Sequence, residues 1–223
     1  MLPPALHRFA APVLHALGLF HPLRDWRRDR RFAAAGRIAL KNWATTGRAL
    51  PAPDLLKYAV LRENARRHGL VVLVETGTFY GNAVFTLRNE FKEIHSIELA
   101  PDLHAAARRE LGHLRHLHLH FGDSAEVLPK VAEGITSPAL YWLDGHFCSG
   151  PSARGKSDTP IGAEVEFLLR RPPGRDMILI DDARLFDGAG EYPSLAEVRA
   201  WVERHRPGAE WSVETDIIRV FPV

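Results

Sequence analysis

Carboxylate residues follow two apolar runs in the second half of the chain. Asp144 comes directly after residues 139–143, and Asp181 and Asp182 come directly after residues 177–180. If both runs are neighbouring parallel strands, the three carboxylates meet at one sheet edge, where their like charges need a cation or a lysine partner. Hard oxygen ligands suit Mg²⁺. The pattern predicts a metal site at Asp144, Asp181 and Asp182; in the alternative interpretation, Asp144 and Asp182 cap the turns that follow them.

A glycine-containing turn follows an earlier apolar run. Its glycines would let a ligand approach the backbone and would leave amide N–H groups free at a helix start. The dinucleotide spacing GxGxxG is absent, because only Gly77 and Gly81 occur, four residues apart. The turn predicts a cofactor site, with a purely structural turn as the alternative. The predicted cofactor residues here are Glu75, Gly77, Thr78, Phe79, Gly81 and Asn82.

Two further apolar runs also end in polar residues. Glu98 lies 21 residues after Gly77, where a carboxylate at the end of a second strand can accept both hydroxyls of a ribose. The third run is followed by Asp123 and Ser124, and Asp123 is suited to accept from an adenine amino group. Several such strand ends at one sheet edge indicate a nucleoside cofactor more strongly than any one of them.

After residue 70, short apolar runs alternate with segments of helical pattern. This alternation predicts a parallel, doubly wound α/β sheet covered by helices on both faces. The predicted strands are 70–74, 94–98, 117–121, 139–143 and 177–180, and the predicted helices are 82–90, 102–111, 124–133, 160–171 and 194–206. Two final strands, 211–214 and 217–221, are joined by Thr215 and Asp216. This spacing predicts a hairpin that adds an antiparallel strand to the sheet.

The first 50 residues have a different pattern. Apolar residues at helical spacing predict helices over 5–19 and 24–46, and prolines 51 and 53 then break the pattern. We expect Asp54 to cap a helix that runs to His68 and stops at Gly69. The predicted organisation is a helical extension, residues 1–50, and an α/β domain, residues 51–223.

Charge separates the same two parts. Residues 1–50 hold nine Arg and Lys against two Asp, a net of +7, whereas the remainder holds 20 basic and 25 acidic residues, a net of −5. A solvated helical face packed on an acidic domain accounts for this asymmetry. The alternative is contact with an anionic partner, such as a membrane surface, a lipid-linked glycan or nucleic acid, although nothing predicts recognition of a specific nucleic acid.

The overall composition is that of a globular protein, with 46% hydrophobic and 25% charged residues. A single cysteine excludes an internal disulfide and fits a reducing compartment. No apolar run approaches the roughly 20 residues that span a bilayer, and the N-terminus lacks the basic region and cleavage site of a signal peptide. We expect a cytoplasmic protein, and its oligomeric state stays open, a dimer included.

Residues 70–222 resemble class I S-adenosylmethionine-dependent methyltransferases, in particular the metal-dependent O-methyltransferases of the catechol and macrolide-sugar type. The resemblance rests on the order and spacing of the segments 75–81, 96–98, 122–124, 143–146 and 180–182. It implies a Rossmann-like sheet of seven strands with an antiparallel C-terminal hairpin. It also implies S-adenosylmethionine at the glycine turn and at Asp144, and Mg²⁺ as a second cofactor.

The resemblance also suggests where a catalytic base lies. His146 follows Asp144 in the same loop, and a neutral imidazole is suited to take a proton near pH 7. In these families the basic residue usually lies three positions after the first metal aspartate, where this chain has Phe147, so His146 could instead stack on the cofactor. Lys156 is the second candidate, in a segment from Ser149 to Asp158 that is typical of a mobile lid.

Two other patterns are weaker. His116, His118 and His120 alternate on one face of the third strand, but they lie away from the catalytic edge, and we do not assign them to zinc. Cys148 lies near His146 without a third orienting group, which favours an inert thiol over a nucleophile.

The main functional hypothesis is transfer of a methyl group from S-adenosylmethionine to a hydroxyl of a small molecule or glycan. Two adjacent oxygens on the acceptor, as in a sugar diol or a catechol, would suit a chelating metal. The alternatives are a metal-dependent phosphate hydrolase and a non-catalytic methyltransferase-like binding scaffold.

Overall fold

A computed structural model describes residues 14–145, 159–172 and 174–222. The chain divides into two compact units between Arg48 and Ala49. The described part of the first unit contains helix α1 (Phe20–Thr45), which begins four residues before the predicted position and has no buried residue. Most of the predicted helix 5–19 lies outside the described residues. Within the described ranges, no helix is long and apolar enough to cross a membrane.

The described part of the second unit contains a sheet of seven strands in the order β3-β2-β1-β4-β5-β7-β6. The first five pair in parallel, and β7 pairs antiparallel with both β5 and β6. This confirms the predicted doubly wound sheet with its C-terminal hairpin. The strands are β1 (Val72–Thr76), β2 (Glu93–Glu98), β3 (Leu117–Phe121), β4 (Ala139–Leu143), β5 (Met177–Ile180), β6 (Trp211–Glu214) and β7 (Ile217–Val220).

Helices connect these strands. The described helices of the second unit are α2 (Asp54–His68), α3 (Asn82–Leu87), α4 (Pro101–Leu111), α5 (Ser124–Glu133), α6 (Ile161–Arg170) and α7 (Leu195–His205), with a 3₁₀ turn at Ala183–Leu185. Gly69 ends α2 in the left-handed conformation, as predicted. The predicted cap is wrong: Asp54 is the first helical residue, and Pro53 precedes it without a side-chain capping bond.

Burial explains why β1, β4 and β5 form the centre of the sheet. Every residue of these three strands is buried, which fits a parallel sheet covered on both faces. The apolar faces of α5, α6 and α7 complete the core with Leu128, Val165, Leu168 and Val198, none of which is exposed.

Strand β1 lies two residues later than predicted. The amide N–H of Val71 and that of Val72 both donate to the carbonyl of Pro138, and the ladder begins only at Val72. Glu75 and Thr76 therefore belong to the strand, and Glu75 is buried within the sheet edge rather than placed in the turn.

The C-terminal hairpin has a second role near this edge. Thr215 and Asp216 have φ values of 58° and 64°, as the tight turn between antiparallel strands requires. Asp216 is buried, accepts from the backbone N–H of Arg184 at 2.9 Å and pairs with the Arg184 guanidinium. The hairpin thereby holds the segment that follows β5.

Candidate active site

A cavity of about 290 Å³ lies at the carboxyl ends of β1, β4 and β5. The strand order reverses here, because β2 lies on one side of β1 and β4 on the other. Ligands of open α/β sheets bind at such a reversal. The cavity is lined by the glycine turn, the three aspartates and residues of α2.

The glycine turn is set by a close approach of two loops. Gly77 has a φ of 85°, and a Cβ built on it would lie 2.6 Å from the backbone oxygen of Asp144. Gly81, with a φ of 65°, caps α3. A side chain at position 77 would force the ends of β1 and β4 apart, so the cavity requires glycine there.

Glu98 holds the turn from the neighbouring strand. Its carboxylate accepts from the N–H of Phe79 at 2.7 Å and from the N–H of Ala100 at 2.8 Å. Phe79 is a non-glycine residue with a positive φ of 49°, and this contact fixes it. The Phe79 and Tyr80 rings, 4.1 Å apart and largely exposed, lie against the cavity.

Glu75 forms a short hydrogen-bonded chain below the turn. The Ser96 hydroxyl donates to Glu75 Oε2 at 2.5 Å, and Thr78 Oγ1 lies 2.6 Å from the Ser96 oxygen. Burial raises the pKa of Glu75 to about 8; the Ser96 hydrogen bond lowers it in part, and the charge of Glu98 raises it. Ser96 belongs to the segment 96–98 that carries the resemblance, but sequence reasoning assigned it no role. The available signal was a polar residue inside a buried strand.

The three predicted metal aspartates converge in the cavity. One carboxylate oxygen from each of Asp144, Asp181 and Asp182 lies within 4.8 Å of the others. Burial, followed by the charge of Asp181, raises the pKa of Asp144 well above its ordinary value. Burial also raises the pKa of Asp181, although Lys57 opposes this. The strand-end argument therefore placed these side chains correctly relative to one another.

Lys57 of α2 reaches into this cluster. Its Nζ lies 2.5 Å from Asp181 Oδ2 and 3.6 Å from Asp182 Oδ1. Burial lowers the pKa of Lys57, but the carboxylates, Asp181 first, raise it by more, so the net pKa is above the ordinary value. The sequence predicted a cation or lysine partner without identifying it. The available signal was a lysine four residues before Leu61, on the buried stripe of α2.

A second cation contacts the same oxygen of Asp182. Arg184 Nη1 contacts Asp182 Oδ1 at 2.7 Å and also pairs with Asp216. Asp182 has a φ of 57°, in the left-handed region, at the start of the 3₁₀ turn, and its side chain does not cap that turn. The capping alternative for Asp182 is therefore wrong.

No family model matches the chain, and no curated protein matches it. Solved structures do match over most of its length. It is 18% identical to the O-methyltransferase TomG from Streptomyces achromogenes in complex with SAM, with a TM-score of 0.51, covering 85% of this chain and 89% of that one. For the SAH-bound Podospora anserina methyltransferase PaMTH1, identity is 14%, the TM-score 0.53, and coverage 88% and 95%.

A third match is to a putative caffeoyl-CoA O-methyltransferase from Staphylococcus aureus, with 12% identity, a TM-score of 0.55 and coverage of 90% of this chain and 100% of that one. The chain has the class I methyltransferase fold. At these identities the likeness concerns the fold, whereas the chemistry rests on the side chains of this chain.

Within this methyltransferase fold, the predicted cofactor residues fall into two groups. Gly81 and Glu98 support the turn without lining the cavity. Asp123 and Ser124 also lie outside it, and Asp123 Oδ1 caps α5 by accepting from the Ala125 N–H at 3.0 Å. Those that line the cavity are Glu75, Gly77, Thr78, Phe79, Asn82 and Asp144.

A buried carboxyl group that the sequence did not single out lies under the same edge of the methyltransferase sheet. Glu164 of α6 is 1% exposed, and Thr76 Oγ1 lies 3.3 Å from its Oε2. Its Oε1 has no hydrogen-bond partner in the described part of the chain. Burial raises the pKa of Glu164 to about 7, while hydrogen bonds from Ser124 and Thr76 lower it in part.

The predicted bases, His146 and Lys156, lie outside the described residues, as do Cys148 and the segment predicted to be a lid. Asp144 and Gly145 are the last described residues before them. Gly145 is packed close to Thr76, since a Cβ built on it would lie 3.1 Å from Thr76 Oγ1.

Proposed function

We propose that the chain is an S-adenosylmethionine-dependent methyltransferase that methylates a hydroxyl oxygen of a small molecule or a sugar. The observation that carries this proposal is the cavity at the reversal of strand order, with a glycine turn on one side and three aspartates on the other. The fold agrees with it.

The cavity suits S-adenosylmethionine by the chemistry of its lining. Carboxyl groups outnumber cations there: Asp54, Glu75 and the three aspartates lie with Lys57 and Arg184. A ligand with a sulfonium and an ammonium group would stabilise the ionised forms of these carboxyl groups. The exposed rings of Phe79 and Tyr80 offer apolar faces to an adenosyl group. When bound, the cofactor supplies an electrophilic methyl group. The protein's own residues then have to orient the acceptor and exclude water.

The aspartates also suit a magnesium ion by their donor chemistry. Asp144, Asp181 and Asp182 would hold it through hard carboxylate oxygens, and Asp181 Oδ1 is a buried atom without a hydrogen-bond partner among the described residues. The ion would supply positive charge beside the acceptor oxygen. Lys57 already contacts two of these carboxylates, through Asp181 Oδ2 and Asp182 Oδ1, so ion and ammonium would compete for the cluster.

We keep His146 as the proposed base for the acceptor proton, because it follows Asp144 by two residues. His146→Ala should lower the turnover rate by roughly 10²–10⁴ with cofactor affinity nearly intact. Lys156→Ala, measured in parallel, separates the two candidates. If His146→Ala loses cofactor affinity and keeps turnover, the residue belongs to the cofactor pocket instead.

Calorimetry with S-adenosylmethionine and its demethylated product tests the proposal. We expect binding by the full chain, and a loss of about 2 kcal/mol or more in Glu98→Ala, because this change removes the carboxylate that holds the turn and that we propose as the acceptor for the ribose hydroxyls. Glu133→Gln, an exposed change at the end of α5, is the control. Absence of binding to either compound would leave a binding scaffold or a hydrolase and would overturn the proposal.

Methyl transfer to diols and catechols, measured with and without chelator, tests whether the reaction requires a metal ion. Chelation should abolish transfer and spare cofactor binding, and Mg²⁺ should restore transfer. Asp181→Asn should mimic chelation, because a neutral amide is a poorer ligand for a hard cation. Activity that persists in excess chelator would place the protein among metal-independent methyltransferases.

A further inference from the structure

A second group of candidate metal ligands lies on the outer strands of the sheet, on β2 and β3. Glu93 and His95 are on β2, and His118 is opposite His95 on the edge strand β3. The ligand atoms of these three residues lie within 4.8 Å of one another. The group is separate from the cavity, which none of the three residues lines.

The two imidazoles converge on one carboxylate oxygen. His95 Nε2 lies 3.1 Å from Glu93 Oε1, and His118 Nε2 lies 3.4 Å from the same oxygen. Zinc bonds nitrogen and oxygen ligands at about 2.0–2.1 Å in a tetrahedron, so its ligand atoms lie about 3.3–3.4 Å apart. The distances from the imidazoles to Glu93 already match the edges of that tetrahedron.

His120 contacts the ring nitrogen of His95 that does not contact Glu93. Its Nε2 lies 3.0 Å from His95 Nδ1, so the ring nitrogen of His95 that faces away from the cluster has a hydrogen-bond partner. Histidine ligands of zinc characteristically donate this second N–H to a neighbouring group, which fixes the tautomer. Without a metal, the same contacts are satisfied with the tautomers reversed, His120 donating to His95 and His95 to Glu93.

The cluster is also accessible from solvent. The Glu93 and His118 side chains are 46% and 47% exposed, which leaves a path for the ion and a fourth position for water.

We propose that Glu93, His95 and His118 bind a transition metal ion of the Zn²⁺ type, which joins the edge strand β3 to β2. Imidazole ligands favour Zn²⁺ over Mg²⁺, whereas the all-carboxylate cluster in the cavity favours Mg²⁺, so the two sites differ in the ion that they select. The earlier interpretation of His116, His118 and His120 as a group does not apply, because the His116 ring contacts the Arg88 carbonyl instead.

Calorimetric titration of Zn²⁺ into the full-length, tag-free chain tests this site, with millimolar Mg²⁺ present to saturate carboxylate sites. We expect about one Zn²⁺ per chain. His95→Ala and His118→Ala should each weaken binding by at least about 100-fold, and His120→Ala by about 10–100-fold. His205→Ala, on the remote helix α7, is the matched control and should bind like the wild type.

Two further measurements keep the test decisive. Glu93→Gln preserves the shape of an exposed side chain and should also weaken Zn²⁺ binding, while circular dichroism confirms that each variant is folded. Co²⁺ in the same site should give the strong visible absorption of tetrahedral coordination. The proposal is overturned if the wild-type chain does not bind Zn²⁺, if His95→Ala and His118→Ala bind it as well as the wild type, or if Asp181→Asn loses the ion instead.

Discussion

Lys57 is the residue on which the chemistry of the acidic cluster depends. Its ammonium group lies 2.5 Å from Asp181 Oδ2 and compensates the charge of that buried carboxylate, which a magnesium ion would also bind. Breaking a buried ion pair by removing one partner strongly destabilises a protein. Without metal, the stability of the cluster therefore depends on Lys57, together with Arg184 on Asp182.

We expect Lys57→Gln to have two opposite effects. Without metal the variant should lose about 3–5 kcal/mol of unfolding free energy, because it leaves the buried Asp181 carboxylate without its cation. With Mg²⁺ it should bind the ion about tenfold more tightly, because a competing positive charge is gone. Thermal melts and calorimetry with and without Mg²⁺ measure both effects. Lys130→Gln, an exposed change on α5, is the control, and weaker Mg²⁺ binding by Lys57→Gln would contradict this account.

Glu164 predicts a pH dependence of stability. Its pKa is about 7 in the folded chain against an ordinary value of 4.5, so the folded state holds the proton more tightly. The stabilisation from this group is fully present below pH 4.5 and is lost as the pH rises through 7. The variant Glu164→Gln has no titrating group at this position. Its unfolding free energy relative to that of the wild type should therefore be about 1–3 kcal/mol higher at pH 8 than at pH 4.5.

Urea unfolding of both proteins at pH 4.5 and pH 8 checks this prediction. Glu166→Gln, on the same helix but more exposed, is the matched control. A stability difference between Glu164→Gln and the wild type that stays constant with pH would show that folding does not raise the pKa of this carboxyl group.

At the scale of elements, the glycine turn after β1 should be the most sensitive backbone position of the site. Gly77→Ala places a methyl group against the backbone oxygen of Asp144 at a positive φ, where neither partner is a flexible side chain. We expect a loss of about 2 kcal/mol or more in unfolding free energy and weaker cofactor binding. Gly162→Ala, in the first turn of α6 with no atom within 4 Å, should be neutral or stabilising by up to about 1 kcal/mol. Equal effects in denaturant unfolding would refute the close-approach argument.

The sequence predicted most strands of this sheet closely. Strands β3 to β6 begin and end at the predicted residues, because polar, glycine or proline residues bound each run. The first strand was predicted two residues too early. Its apolar run starts at Leu70, but a strand begins only where it pairs with a neighbouring strand. The pairing of β1 with β4 begins at Val72.

The candidate site was predictable only in part, for a related reason. Asp144, Asp181 and Asp182 could be placed together because each follows a strand in a sheet whose topology is fixed by general rules. Lys57 lies 124 residues from Asp181 in sequence and arrives on a helix, whose rotation against the sheet no local pattern specifies. Glu164 likewise lies 88 residues from Thr76 in sequence and arrives on a helix.

At the scale of the whole molecule, the two compact units carry opposite charge. Residues 1–50 have a net charge of +7, and no residue of α1 is buried. In α1, the Arg30 guanidinium lies 4.9 Å from the centre of the exposed Trp26 ring. We propose that this segment contacts an anionic partner, since exposed aromatic and basic side chains together favour anionic surfaces.

The last prediction separates this segment from the methyltransferase fold. Ala52 is buried in the second unit and Pro51 lines the cavity, so the cut belongs before Ala49. We expect residues 49–223 to fold, to bind S-adenosylmethionine with the affinity of the full chain, and to lose retention on anionic vesicles at low salt. Residues 54–223 are the matched control: they lack Pro51 and Ala52, and cofactor binding should weaken.

Calorimetry, circular dichroism and vesicle co-sedimentation measure these outcomes. If the chain from Ala49 is insoluble or loses the cofactor, residues 1–48 are part of the folded domain. If it stays on the vesicles, the anionic contact belongs to the second unit.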